Sequence, residues 1–165
     1  MFSDTSVPRY SVEVITTRVS CEVAEIKERL CNEELASCYV RSLVGAQDDL
    51  DGELFGFLAL DSRHRLLGHK ILYRGTETQA PVSLRQVFRD ALAMNANAII
   101  LFHTHPSGDV HPSSDDIALT RRTVEGGELI GVAVHDHFII SPATLKCRSI
   151  RSTRPQTFTT AGGIS

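Results

Sequence analysis

No stretch of this 165-residue chain is apolar for long enough to cross a membrane as a helix. The start, Met1 to Tyr10, has no positively charged segment followed by an apolar core, so it does not read as a secretory signal. Cysteine is sparse, and Cys21, Cys31, Cys38 and Cys147 show none of the paired spacing of a zinc site. With no signal ahead of them, they read as reduced thiols in a cytoplasm rather than a disulfide framework. Neither sign of charge is in excess: 17 Lys and Arg face 20 Asp and Glu, a net charge of −3. That balance gives no electrostatic ground for duplex DNA binding by the whole domain. There is no internal repeat. His-x-Glu and Pro-Cys-x-x-Cys are both missing, which sets aside a zinc nucleobase deaminase.

What is present fits one ordinary globular domain, with 42% apolar and 22% charged residues. Tyr10 to Val19 reads as extended. Val23, Ile26 and Leu30, then Leu35, Cys38 and Leu43, recur at helical spacing and predict one broken helix or two short ones. Leu54 to Leu60 is apolar on both faces and predicts a buried strand. Asp61 to His64 is a turn, and Leu66 to Tyr73 is a second strand, antiparallel to the first. Leu84, Val87, Phe88, Ala91 and Leu92 mark an amphipathic helix with Ser83 as its N-cap. Another helix is expected from Ser113 or Ser114 to at least Glu125, where Gly126-Gly127 ends or weakens it. Val132 to Ile140 is rich in β-branched residues and predicts a strand. Residues 146–165 hold Arg148, Arg151 and Arg154 and no acid, and are expected to be a flexible basic tail and the main source of any nucleic-acid affinity.

The chemistry gathers in His103-Thr104-His105-Pro106-Ser107-Gly108-Asp109, directly after the apolar run Ile99 to Phe102. On a strand, His103 and His105 point the same way. Two imidazoles on one face can grip a zinc ion, and a hydrolytic site takes a third protein ligand and leaves room for water. Asp115 and Asp116 are candidates for that ligand. Ser113-Ser114-Asp115-Asp116 also matches a capping box, in which Ser113 and Asp116 merely satisfy free N–H groups at a helix start. One carboxylate oxygen cannot fully serve both purposes. Asp115 suits a helix-start charge better than a ligand. His135 and His137 form a second same-face pair, for which roles supporting the structure or the ligands outweigh a second metal. His64, His69 and His111 read as surface residues.

His-x-His, seven residues, Ser, two residues, Asp resembles the JAMM metalloprotease signature, filled here by His103, His105, Ser113 and Asp116. The run His-Thr-His-Pro-Ser-Gly-Asp resembles the bacterial RadC-like branch. So do Glu53-Leu54-Phe55 leading to Leu60-Asp61-Ser62-Arg63, then Arg74-Gly75-Thr76 and His135-Asp136-His137. The resemblance spans about residues 50 to 141. It implies an α/β fold of JAMM/JAB (cytidine-deaminase-like) type, a mixed curved sheet flanked by helices. It implies a zinc held by His103, His105 and Asp116, with Glu53 as acid/base and Ser113 stabilising the oxyanion. A strand-entry charge facing solvent is the plainer alternative for Glu53. The chain departs from that branch at Thr104, where Asn is usual, and it reads as a short form with no helix-hairpin-helix region. Three units are expected: an N-terminal helical extension over 1–45, the RadC-like domain over 46–145, and the tail. The function this predicts is a zinc-dependent hydrolase of amide or isopeptide bonds acting on a peptide or protein. Its rivals are a non-catalytic module binding protein or DNA in repair, and a metal-dependent nuclease; near-neutral charge and a single-metal pattern disfavour the last.

Overall fold

The computed structural model describes residues 30, 32–47, 52–75 and 82–160. The expectations for Tyr10 to Val19, Val23 and Ile26 lie outside these residues. Five strands form one curved, unclosed mixed sheet in the order β2-β1-β3-β4-β5. They are β1 (Glu53–Leu60), β2 (Leu66–Gly75), β3 (Ala98–Thr104), β4 (Ala133–Ile140) and β5 (Cys147–Ser149). β1 pairs antiparallel with β2 and β3, and β4 with β5, whereas β3 and β4 run parallel. A parallel pair needs a crossover, and α3 (Ser114–Ile130) provides it.

Strand alternation divides the core in two. From β1, Leu54, Leu58 and Leu60 join Ala98, Ile100 and Phe102 of β3 in a cluster covered by α1 (Glu33–Gly45). Phe55, Phe57 and Ala59 join Ile99 and Leu101 on the other face, under α2 (Leu84–Ala93) and α3. Leu54–Leu60 of β1 and Ala98–Phe102 of β3 are therefore apolar on both faces. Phe57 and Phe102 are fully buried, each contributing about 1.5–3 kcal/mol by transfer from water. Continuing the alternation puts His103 on the face of Ile99 and Leu101.

Several expectations need correction. Helix α1 exists, but its buried face is Ala36, Val40 and Val44, while Leu35 and Cys38 are exposed. Two interleaved helical stripes ran through that segment, and the smaller side chains allow the closer approach to the sheet. Ser83 occupies the N-cap of α2 but makes no side-chain cap bond. Gly126 and Gly127 do not end α3, which continues to Ile130 and stops at Gly131 in the left-handed region (φ 75°). Gly127 is there for proximity, since a Cβ would lie 2.2 Å from the Val132 carbonyl oxygen. His69 is half-buried and 3.2 Å from the Tyr39 hydroxyl, not a plain surface residue.

His135 and His137 do not share a face. β3 pairs Ile99 with Val134 but Ile100 with Asp136, so His135 is the extra residue of a β-bulge. Val134 packs in the α2/α3 cluster, yet Phe138 and Ile140, of the same parity, pack under α1. His135 stacks edge-on against His64, with ring centroids 4.7 Å apart. His137 turns to the α2/α3 face, where His103 lies.

The stretch from Lys146 is not a flexible tail where it is described. It adds β5, the short helix α4 (Ile150–Thr153) and a 3-10 turn, Pro155–Phe158, with Ile150 and Thr157 buried. Asp136 anchors it. Oδ1 accepts from the backbone N–H of His137 (2.6 Å) and of Arg151 (3.0 Å), and Oδ2 from the Ser149 hydroxyl (2.6 Å). Burial pushes the Asp136 carboxyl up, against the pull of these three donors. Arg151 is engaged too: its guanidinium lies 4.4 Å over the Phe158 ring and donates to the carbonyls of His135 and Val134. Composition hid this, because anchoring by one buried acid thirteen residues upstream leaves no local periodicity. Asp136→Ala strands three donors and should lower unfolding free energy by about 2–4 kcal/mol in urea titration. Amide exchange should rise first over Cys147–Phe158. Unchanged protection there would show that other contacts hold the segment.

Candidate metal centre

The last residue of the β1–β3 ladder on this side pairs His103 with Phe55, so Glu53, two residues earlier on β1, stands opposite the position of His105. The Thr104 hydroxyl reinforces that edge by accepting the Leu54 backbone N–H at 2.9 Å, buried between the strands. Thr104 is thus a structural tie beside Glu53. His105 lies just beyond β3, its own N–H bonded to the Ile140 carbonyl (2.9 Å). The chain then reverses: Gly108 sits at φ 84°, where a Cβ would strain the backbone, and its N–H closes a turn on the His105 carbonyl. Asp109 Oδ1 accepts the His111 N–H (2.9 Å), an Asx turn that leads into the start of α3.

Ser113 caps α3. Its Oγ accepts the Asp116 N–H at 3.1 Å, and Asp116 Oδ2 accepts the Ser113 N–H at 2.7 Å. The capping reading is therefore correct, and it does not displace the other one. Asp116 Oδ1 lies 3.1 Å from His103 Nε2, Oδ2 lies 3.4 Å from His105 Nε2, and the two imidazole nitrogens approach to 2.8 Å. The oxygens share the work unevenly: Oδ1 faces His103, while Oδ2 makes the cap bond and lies farther from His105. Burial alone would raise the Asp116 carboxyl, but hydrogen bonds from His103 and His105 outweigh it and hold the group far below the carboxylate range. His105 is raised in turn, chiefly by its bond to Asp116. Burial opposes this, and the Asp109 carbonyl and the charges of Asp116 and Glu53 assist it.

Three ligand atoms, one each from His103, His105 and Asp116, all lie within 4.8 Å of one another. Among the described residues this is the group that could hold a metal ion. Its donor chemistry fits one. Two imidazole nitrogens and a carboxylate converge, and His105 is half-buried, so one side faces solvent. Glu53 is half-buried at the head of β1, close enough for its charge to act on His105. Asp115 is exposed and outside the group. The described cysteines, Cys38 and Cys147, are free thiols, and burial pushes Cys147 up to about 12. Sequence reasoning missed Thr120. Its Oγ1 is 2.7 Å from His137 Nδ1, and His137 Nε2 is 2.9 Å from His103 Nδ1. No motif announces such a contact, although Thr120 stands one helical turn after Asp116.

A mixed five-strand sheet carrying a His-x-His pair at the end of a central strand and an acid at the start of the crossover helix is consistent with a JAB-type domain. The family model of the RadC-like JAB domain matches residues 30–154, and the chain belongs to that family. The match reaches past 46–145 on both sides. Relatives include a UPF0758 protein of Azotobacter vinelandii, 51% identical over 88 residues (53% of this chain, 39% of the relative). A UPF0758 protein of Pseudomonas putida is 44% identical over 113 residues (68% and 50%). A third, from Finegoldia magna, is 39% identical over 116 residues (70% and 46%). The aligned part is thus half or less of the length of these relatives. No described helix is long and apolar enough to cross a membrane.

Zinc added to metal-stripped protein should bind at about one ion per chain. Replacing His103 and His105 together with Ala should abolish it. Acidification through the imidazole range should release the ion, because the ligands must be deprotonated to bind. Full zinc retention by the double variant, measured by mass spectrometry, would remove the site from these residues.

Proposed function

We propose that the chain is a zinc-dependent hydrolase that cleaves an amide or isopeptide bond in a peptide or protein. The observation that carries this reading is the convergence of His103, His105 and Asp116 on the face of the sheet where Glu53 begins β1. Those three residues would hold the zinc, which supplies the Lewis acidity that makes water a nucleophile near neutral pH.

The remaining work falls to side chains of this fold. Glu53 lies on the strand beside His103 rather than within the ligand group, which suits a base better than a ligand. It takes a proton from the attacking water and passes it to the departing amine nitrogen. Thr104 steadies it through the bond to Leu54. Ser113 Oγ already accepts the Asp116 N–H on one lone pair, and its own proton is left to donate. Ser113 is exposed at the mouth of the site, where that proton can meet the oxyanion of the cleaved carbonyl. A nuclease reading has less support, for one three-residue group is present among the described residues rather than a paired-metal set.

The test is a peptide- and isopeptide-library screen with zinc-loaded protein. Glu53→Gln keeps shape and loses the ability to take a proton, so zinc content and melting temperature should hold while turnover falls at least about 10²-fold. Ser113→Ala should lose about 10²-fold with zinc retained and about 1 kcal/mol of stability from the cap. Asp116→Asn should lose zinc and activity in parallel. Loss of zinc in Glu53→Gln would make Glu53 a ligand. Zinc-loaded protein that cleaves nothing in such a screen would favour a module that binds partners without catalysis.

A further inference from the structure

We infer that Thr120 and His137 set the tautomer of His103 and so aim its Nε2 lone pair at the metal position. The inference rests on His103 being a ligand, as proposed above. It comes from counting protons along a buried chain of hydrogen bonds, beginning at a group that can only accept.

That group is the Asp116 backbone carbonyl. The Thr120 hydroxyl lies 2.6 Å from it and donates its one proton there. The same oxygen is 2.7 Å from His137 Nδ1. With its proton committed, Thr120 can only accept, so His137 carries hydrogen on Nδ1. His137 is fully buried, and its two ring nitrogens meet the Thr120 hydroxyl and His103 Nδ1 with no carboxylate bonded to balance a charge, so the ring is neutral. A neutral ring protonated at Nδ1 has a lone pair at Nε2. That lone pair is 2.9 Å from His103 Nδ1, which must then be the donor. With Nδ1 committed, His103 turns Nε2 to Asp116 Oδ1 and His105 Nε2, and Nε2 is the nitrogen whose shared proton a metal would displace.

His105 reaches the same state by a shorter route. Its Nδ1 is 2.7 Å from the Asp109 carbonyl oxygen, which accepts only, so Nε2 is again the nitrogen turned to the metal position. His103 has no such option. It sits mid-sheet, opposite Phe55 on one side and Ile139 on the other, where neighbouring carbonyls point along the ladders. A side-chain relay through the next strand takes the place of a loop carbonyl. The first turns of α3 thereby carry both a ligand, Asp116, and the group that orients another ligand. Thr120 and His137 are positioning residues: they act on the metal position through His103 and do not reach it.

The experiment uses the full chain and two replacements. Thr120→Val keeps the shape and removes the hydroxyl; Thr120→Ser keeps the hydroxyl. Nitrogen-15 spectra of the histidine rings in metal-free wild type should show His103 and His137 both protonated at Nδ1. In Thr120→Val, hydrogen should redistribute to Nε2 on both rings, and zinc affinity measured against a chelator should fall about 10- to 100-fold. Thr120→Ser should return spectrum and affinity to wild type, a rescue that loss of packing alone does not explain. A wild-type His103 protonated on Nε2 and not on Nδ1 overturns the inference whatever the variants do. So does a Thr120→Val protein with unchanged ring spectra and zinc affinity. If wild type shows the expected tautomers yet binds no zinc, the relay stands and the metal reading falls.

Discussion

The Asp116 carboxylate accepts the Ser113 N–H at 2.7 Å and lies 3.1 Å from His103 Nε2, and through this one group the start of α3 is tied to the end of β3. One residue serves as N3 of a helix cap and as the acid that faces two histidines. Neither function can be adjusted alone: shifting the helix start by a residue would rotate the carboxylate by about 100° and carry Thr120 away from His137. This explains how a solvent-reaching loop, from Pro106 to Pro112, can lie between His105 and Asp116 without loosening them. The loop is closed at one end by Gly108 on His105 and at the other by the cap.

The sheet beneath supplies the second constraint. β1 and β3 are buried on both faces, so their side chains cannot exchange faces without leaving an apolar residue in water. His103 inherits its direction from Ile99 and Leu101, and Glu53 from Phe55 and Phe57. The polar groups of the centre are aimed by residues with no chemistry of their own.

This is also why much of the centre was legible in the sequence. The apolar run before His103 and the His-x-His spacing both report period two, and the capping box reports the helix start. All three are local patterns, and all three appear in the structure. What could not be read arises from contacts between distant residues. The buried face of α1 depends on which of two stripes fits the sheet. The folding of Cys147–Phe158 depends on Asp136, and the Thr120–His137–His103 chain joins a helix to two strands. His135 misled for a related reason. Alternation holds only while the ladder stays in step, and a bulge has no composition of its own.

That bulge decides where β4 can change length. Between Val134 and Asp136 the strand already holds one residue more than β3. Removal of His135 would leave Val134, Asp136 and His137 on the faces they now occupy, with the loss of the His64 stack and of the carbonyl held by Arg151. Removal of one residue from Phe138 onward would turn the rest of the strand over and carry Ile140 to the wrong core. A change of length in this strand is thus least disruptive at His135, on the side of the sheet away from His103, His105 and Asp116.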